Sequence, residues 1–250
     1  MCENKKADRQ TFATVDDVAQ STANWICKLA LACEGRFAVC LSGGSTPRKL
    51  YEALAVLGPD FPWLRSHWFW GDERFVPYDH PDSNYRMAQE ALLSRAPIPR
   101  DNIHPIPTEG LSPGEAAVAY ERTLKQFYCA DILDVRRSLF NVTLLGIGDD
   151  GHTASLFPEQ MSLNERTRWV VDVKSPKDDP RITLTYTPLE SAGDVVFLAT
   201  GSNKQRIIAR AWAGDQTLPV ARMTPIGRLH WIIDQAATPR AGGSNERRPS

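Results

Sequence analysis

Three groups of residues in this 250-residue chain have the types and spacing to do chemistry. In FNVTLLGIGDDGHTASLFP, residues 140 to 158, Asp150 and His152 sit two positions apart, directly after an apolar run. Histidine both accepts and donates a proton near neutrality, and a neighbouring carboxylate fixes its tautomer and favours the imidazolium. The pair therefore reads as an acid/base site at a strand's end. The alternative is a surface turn carrying an incidental histidine, since turns rich in Asp and Gly are common.

Gly146, Gly148 and Gly151 in the same stretch have the G-x-G-x-x-G spacing of a dinucleotide fingerprint, and Asp172 follows about twenty positions on, as that motif expects. The helix it also needs is missing. After Gly151 the chain meets Pro158, leaving under two turns. The glycines fit a catalytic loop better, with Gly148 letting the backbone approach a ligand closely.

The second group is LSGGSTPRKL, residues 41 to 50. Gly43 and Gly44 free successive backbone N–H groups, Ser42, Ser45 and Thr46 supply hydroxyls, and a helix started by Thr46-Pro47 adds its dipole. That combination cradles phosphate. It lacks the spacing of a nucleotide P-loop, and its bland alternative is a tight turn that binds nothing. The third group is Asp72, Glu73 and Arg74, where Arg74 suits forked recognition of phosphate or carboxylate, against the reading of a solvated charged turn. Arg181, opening RITLT, and Lys204, in TGSNK, add cations if the loops converge, and are surface charges if they do not. His67, His80, His104 and His230 show no metal-ligand spacing and read as structural or surface residues.

The elements that must position these residues follow from periodicity. Val18, Thr22, Trp25, Ile26, Leu29 and Cys33 mark a helix from Asp16 onward, and RFAVCLS (36–42) a strand. HWFW (67–70) reads as a strand, Asn84 to Ala96 as a helix capped by Ser83-Asn84, and NIHPI (102–106) as a short extended piece. Ser112 and Glu115 have capping-box spacing and open a helix through Phe127. Strands follow at 140–146, 169–173, 181–187 and 195–200, then a helix started by Ser202 and a last strand at 229–234. Alternating strands and helices, with strands apolar throughout, predict an α/β fold with a mostly parallel sheet covered on both faces. The loops after residues 42, 70, 146 and 200 should then converge beyond the strands' carboxyl ends.

Composition bounds the partners. With 29 basic and 30 acidic side chains the net charge is −1, so no global field points to nucleic acid or an anionic membrane. Five cysteines without CxxC spacing read as reduced, mostly buried thiols of a cytosolic protein. The polar, charged start MCENKKADRQTF and the lack of any run of 18 apolar residues lead us to expect neither an export signal nor a membrane span. A single domain over 11–238 is expected, with 1–10 and 239–250 as loose, polar ends.

Taken in order, LSGGSTPRKLYEAL (41–54), GDERFVPYDHPDSNYRMAQEALL (71–93), NIHPIPTE (102–109), LLGIGDDGHTASLFP (144–158), RITLTYTPL (181–189) and MTPIGRLHWIID (223–234) resemble the 6-phosphogluconolactonase family. The resemblance spans nearly the whole chain and implies a modified Rossmann-like fold, similar to glucosamine-6-phosphate deaminases and ribose-5-phosphate isomerases. It implies hydrolysis of 6-phospho-D-glucono-1,5-lactone in the oxidative pentose phosphate pathway, with no metal, no coenzyme and a small sugar-phosphate lactone as sole partner. By position, the family's catalytic histidine falls on His152 with Asp150 beside it. Phosphate and sugar contacts fall on Ser42, Gly43, Gly44, Ser45, Thr46, Arg74, Gly148, Arg181 and Lys204. The related deaminases carry an acidic residue about five positions after the histidine, where this chain has Phe157. Pro105 replaces a residue that is basic in many lactonases. A deaminase or isomerase, and a sugar-phosphate sensor without turnover, are the alternatives; the expected assembly is a monomer or weak homodimer.

Overall fold

The computed structural model of the protein describes residues 7–239. Seven strands form one parallel sheet in the order β1 (Asp8–Phe12), β10 (Arg228–Asp234), β9 (Ala192–Ala199), β6 (Phe140–Leu145), β2 (Phe37–Leu41), β3 (Ser66–Trp70) and β5 (Ile103–His104). The central strands are apolar along their length because both faces are covered: every residue of β2 is buried, as are Val142, Leu144, Val196 and Phe197. This is the α/β fold that the alternating pattern predicts.

Connections run in two directions from the middle of the sheet. α1 (Val15–Ala32), α2 (Ser45–Ala55) and α3 (Asn84–Ala88) accompany the steps β1 to β2, β2 to β3 and β3 to β5. α4 (Pro113–Tyr128) and α6 (Gln205–Trp212) accompany steps the opposite way, β5 to β6 and β9 to β10. Right-handed crossovers moving in opposite directions put the two helix sets on opposite faces. Local signals agree: Thr14 and Ser112 each form a capping box with Asp17 and Glu115, and Ser83 caps α3 by accepting from the Arg86 N–H.

A second, antiparallel sheet of β4 (Asp72–Arg74), β8 (Pro180–Leu184) and β7 (Val170–Lys174) lies outside the main one. It differs from the sequence expectation in two ways. Asp72–Arg74 is a strand rather than a charged turn, and the alternating run 181–187 is a strand only to Leu184. There the Thr185 N–H turns to the Trp169 carbonyl and α5 (Tyr186–Glu190) begins, with the Tyr186 hydroxyl bonded to the Pro219 carbonyl.

The N-terminal boundary also needs correction, because Asp8–Phe12 pairs in parallel with β10 rather than hanging loose. The strand is charged and largely exposed, as an edge strand can be, so no apolar alternation marked it. Asp8 meets His230 at 3.3 Å, and the Arg9 guanidinium lies 4.1 Å from the Trp212 ring. The remaining loose-end expectation, for 1–6 and from 240 on, lies outside the described residues. Among the described residues no helix is long and apolar enough to cross a membrane.

Candidate active site

The sheet reverses its winding between β2 and β6, which are neighbours although the chain leaves one toward β3 and the other toward β9. Loops leaving the carboxyl ends of such a pair diverge and open a crevice. A cleft of about 770 Å³ lies there, lined by residues 42–47 after β2, 146–150 and 152 after β6, and 198–200, 203 and 204 around the end of β9. β4 and β8 close its side with Asp72, Arg74 and Arg181.

His152 is held from within its own turn. Its Nδ1 lies 2.6 Å from Asp150 Oδ1, and its backbone N–H donates to the same oxygen at 3.0 Å. A carboxylate only accepts, so Nδ1 carries the proton and Nε2 is left as a lone-pair acceptor. The Gly148 N–H donates to the His152 carbonyl and the Gly151 N–H to that of Gly148. Gly148 is glycine for a packing reason: a Cβ there would occupy the space of the His152 ring and stand 2.7 Å from Asp150 Oδ1. The half-exposed His152 ring packs tilted against buried Phe157 at 4.8 Å between centroids.

The segment after His152 is tied down on both sides. The Thr153 hydroxyl donates to the Gly146 carbonyl at 3.0 Å. The Ser155 hydroxyl donates to buried Asp72 at 2.7 Å, and the Ser155 N–H to Thr183 Oγ1. Asp72 thus anchors the histidine loop to the second sheet. Glu73 is also structural: it is buried and accepts from the N–H groups of Arg74, Asn84 and Tyr85 and from the Ser83 hydroxyl. Burial pushes its pKa up to about 7 against those donors.

The Ser42–Thr46 loop differs in one detail from the sequence expectation. Gly44, at φ +108, occupies the N-cap position and α2 starts at Ser45, so Thr46 is not the cap. Its hydroxyl instead meets that of Thr200 at 2.7 Å, joining the loops after β2 and β9. A glycine cap leaves the first N–H groups of α2 without a side-chain partner, free for an anion. Buried Tyr51 fixes the strand end below: its hydroxyl accepts from the Ser42 N–H and donates to the Ser42 carbonyl.

Arg74 and Arg181 are direct partners across β4 and β8, so their side chains leave the same face. Burial, and then the neighbouring Arg74 charge, pull the Arg181 pKa down. Both Nε atoms are buried without a hydrogen-bond partner, while Arg74 Nη1 donates to the Asp82 carbonyl. Two guanidiniums side by side with unused donors favour an anion. Lys204 stands on another wall, where its Nζ meets Asp149 Oδ1 at 2.6 Å.

The residues singled out from the sequence line this one cleft: Ser42, Gly43, Gly44, Ser45 and Thr46; Gly148, Asp150 and His152; and Arg74, Arg181 and Lys204. Sequence reasoning missed Asn84, Asp149, Ser155 and Lys177, which line it too. Asn84 was read only as a cap; it is buried, fills the space a Cβ at Gly43 would need, and donates to the Asp72 carbonyl. Ser155 and Asp149 lie close in sequence to Asp150 and His152 and could have been noted on that ground.

Residues 13–231 match the family described as glucosamine-6-phosphate isomerases/6-phosphogluconolactonase. The chain belongs to this family. A 6-phosphogluconolactonase of Nostoc sp. is 43% identical over 211 residues, 83% of this chain and 86% of its own. The Homo sapiens 6-phosphogluconolactonase is 37% identical over 238 residues, 90% of each chain. Among solved structures, a Thermotoga maritima 6-phosphogluconolactonase superposes with a TM-score of 0.79 at 31% identity, covering 92% of this chain and all of that one. The family's fold also carries other chemistry: a monomeric glucosamine-6-phosphate deaminase matches with a TM-score of 0.80 at 15% identity, which shows the fold alone.

Proposed function

We propose that the protein hydrolyses 6-phospho-D-glucono-1,5-lactone to 6-phospho-D-gluconate, with His152 as general base. The observation that carries this reading is the Asp150–His152 pair at the winding reversal, in a cleft that also holds Arg74, Arg181 and Lys204. With Nδ1 bonded to Asp150, Nε2 takes a proton from water as the oxygen attacks the lactone carbonyl carbon. The imidazolium, stabilised by Asp150, then protonates the departing ring oxygen. A new C–O bond forms, the ring C–O bond breaks, and His152 ends neutral.

The substrate's phosphate supplies the handle. The Ser42–Thr46 loop and the start of α2 receive it, with Arg74, Arg181 and Lys204 supplying positive charge. Holding the lactone by its phosphate against a positioned base counts for much of the rate, since favourable proximity is worth roughly 7–11 kcal/mol. Phe157 favours the lactone over an amino sugar: a buried apolar ring lies against His152 where the deaminase pattern has a carboxylate for proton transfer. A monomer or weak homodimer is the assembly we propose. The free thiols Cys27, Cys33, Cys40 and Cys129 fit a cytosolic setting.

The test uses freshly made 6-phosphogluconolactone with acid release followed above the spontaneous rate, and glucosamine 6-phosphate with ammonia as readout. Acceleration of the first without release from the second is expected. No acceleration overturns the assignment, and ammonia release would move the chain to the deaminases of its family.

A further inference from the structure

Asp149 is the one acidic residue of the GDDGH turn for which the hydrolysis above has no use. It does not hold the turn, whose bonds run between Gly148, Asp150, Gly151 and His152. Its carboxylate reaches across the cleft wall instead, with Oδ1 2.6 Å from Lys204 Nζ and 3.4 Å from Asn203 Nδ2. The Lys204 side chain is 20% exposed and that of Asp149 75%, so the acid is the more solvent-exposed member of the pair. The hydrogen bond and charge of Lys204, in that order, hold the Asp149 carboxyl below its usual range. A cation lining an anion site thus already has an anion on it.

We propose that Asp149 competes with the ligand's phosphate for Lys204, and so weakens retention of every phosphorylated ligand of the cleft. The proposal rests on the reading that Lys204 meets the substrate phosphate. Phosphate entering beside Lys204 must either displace Asp149 or sit next to a like charge, and both lower affinity. Hydrolysis makes the ligand more anionic by one carboxylate, so tight retention would act hardest on the product. Asp149 counters this and speeds its departure.

One unit charge about 4 Å from another, in water-like surroundings, changes affinity about fivefold. Asp149→Asn is therefore expected to bind 6-phosphogluconate about fivefold more tightly by titration calorimetry, with KM for the lactone lowered by a similar factor. The gain should shrink in about 1 M salt, where charges are screened beyond about 3 Å. The control for a merely structural effect is non-phosphorylated glucono-1,5-lactone, whose KM should not fall in the variant because it brings no phosphate to Lys204. Lys204→Met is measured alongside and is expected to bind the product more weakly than wild type. If Lys204→Met weakens binding and Asp149→Asn leaves it unchanged or weakens it, the competition is refuted and the phosphate role of Lys204 stands. If Lys204→Met binds as wild type does, both fail together.

Discussion

Replacing Gly148 by alanine tests the positioning of the base without touching any reacting group. The Gly148 backbone lies outside the left-handed region, so an alanine suits its φ and only the added methyl meets resistance. That methyl would stand 2.7 Å from Asp150 Oδ1 and overlap the His152 ring. The ring must retreat by well over ~1 Å to regain ordinary contact distance, and a displacement of about 1 Å can already cost about 10²-fold in rate. The retreat also loosens the 2.6 Å bond to Asp150 that sets the tautomer. Gly148→Ala should therefore lower kcat about 10²-fold or more in the acid-release assay, which starts at the lower end of the 10²–10⁴-fold span of general base catalysis. Thermal unfolding should stay near wild type, because the turn is at the surface and the Gly-to-Ala change slightly restricts the unfolded chain. Wild-type kcat in a folded Gly148→Ala protein would refute the claim that this ring position matters.

Tyr51→Phe removes the hydroxyl that serves both the Ser42 N–H and carbonyl, leaving buried polar groups unpaired at about 1–3 kcal/mol. At roughly 2–4 °C per kcal/mol for a chain of this size, calorimetry should show a lower Tm, and an unchanged Tm would contradict the clamp. A pH effect follows from His104, whose Nε2 lies 3.1 Å from His67 Nδ1. Burial, then His67 and Arg36, pull its pKa from 6.5 down to about 4. The unfolded chain takes up this proton as pH falls through 6.5, while the folded protein does so only near 4. The contribution to stability is present above 6.5 and lost toward 4, so His104→Phe should show a shallower fall in Tm over that window; an equal slope would contradict it.

How far the sequence reaches can be judged residue by residue. β2 and β6 are legible because buried central strands are apolar throughout, and α4 because Ser112 and Glu115 announce its start. The loops holding Ser42–Thr46 and Asp150–His152 are legible as chemistry because each is contiguous. The pairing of Arg74 with Arg181 is not: it depends on the antiparallel register of two short strands far apart in the chain, which no local period encodes. β4 was obscured for the same reason, its charges suggesting a turn while Asp72 and Glu73 are in fact buried by partners from elsewhere. Thr46 misled because a Thr-Pro pair resembles a cap, whereas Gly44 takes that place and Thr46 bonds Thr200.

The central claim is that His152 activates the attacking water. The direct measurement is acid release from fresh 6-phosphogluconolactone by wild type and His152→Ala, with 6-phosphogluconate binding measured on both. The account predicts that the wild type accelerates hydrolysis and that the variant loses about 10²–10⁴-fold of that acceleration while still binding the product. A variant that binds product and hydrolyses the lactone at the wild-type rate would contradict it.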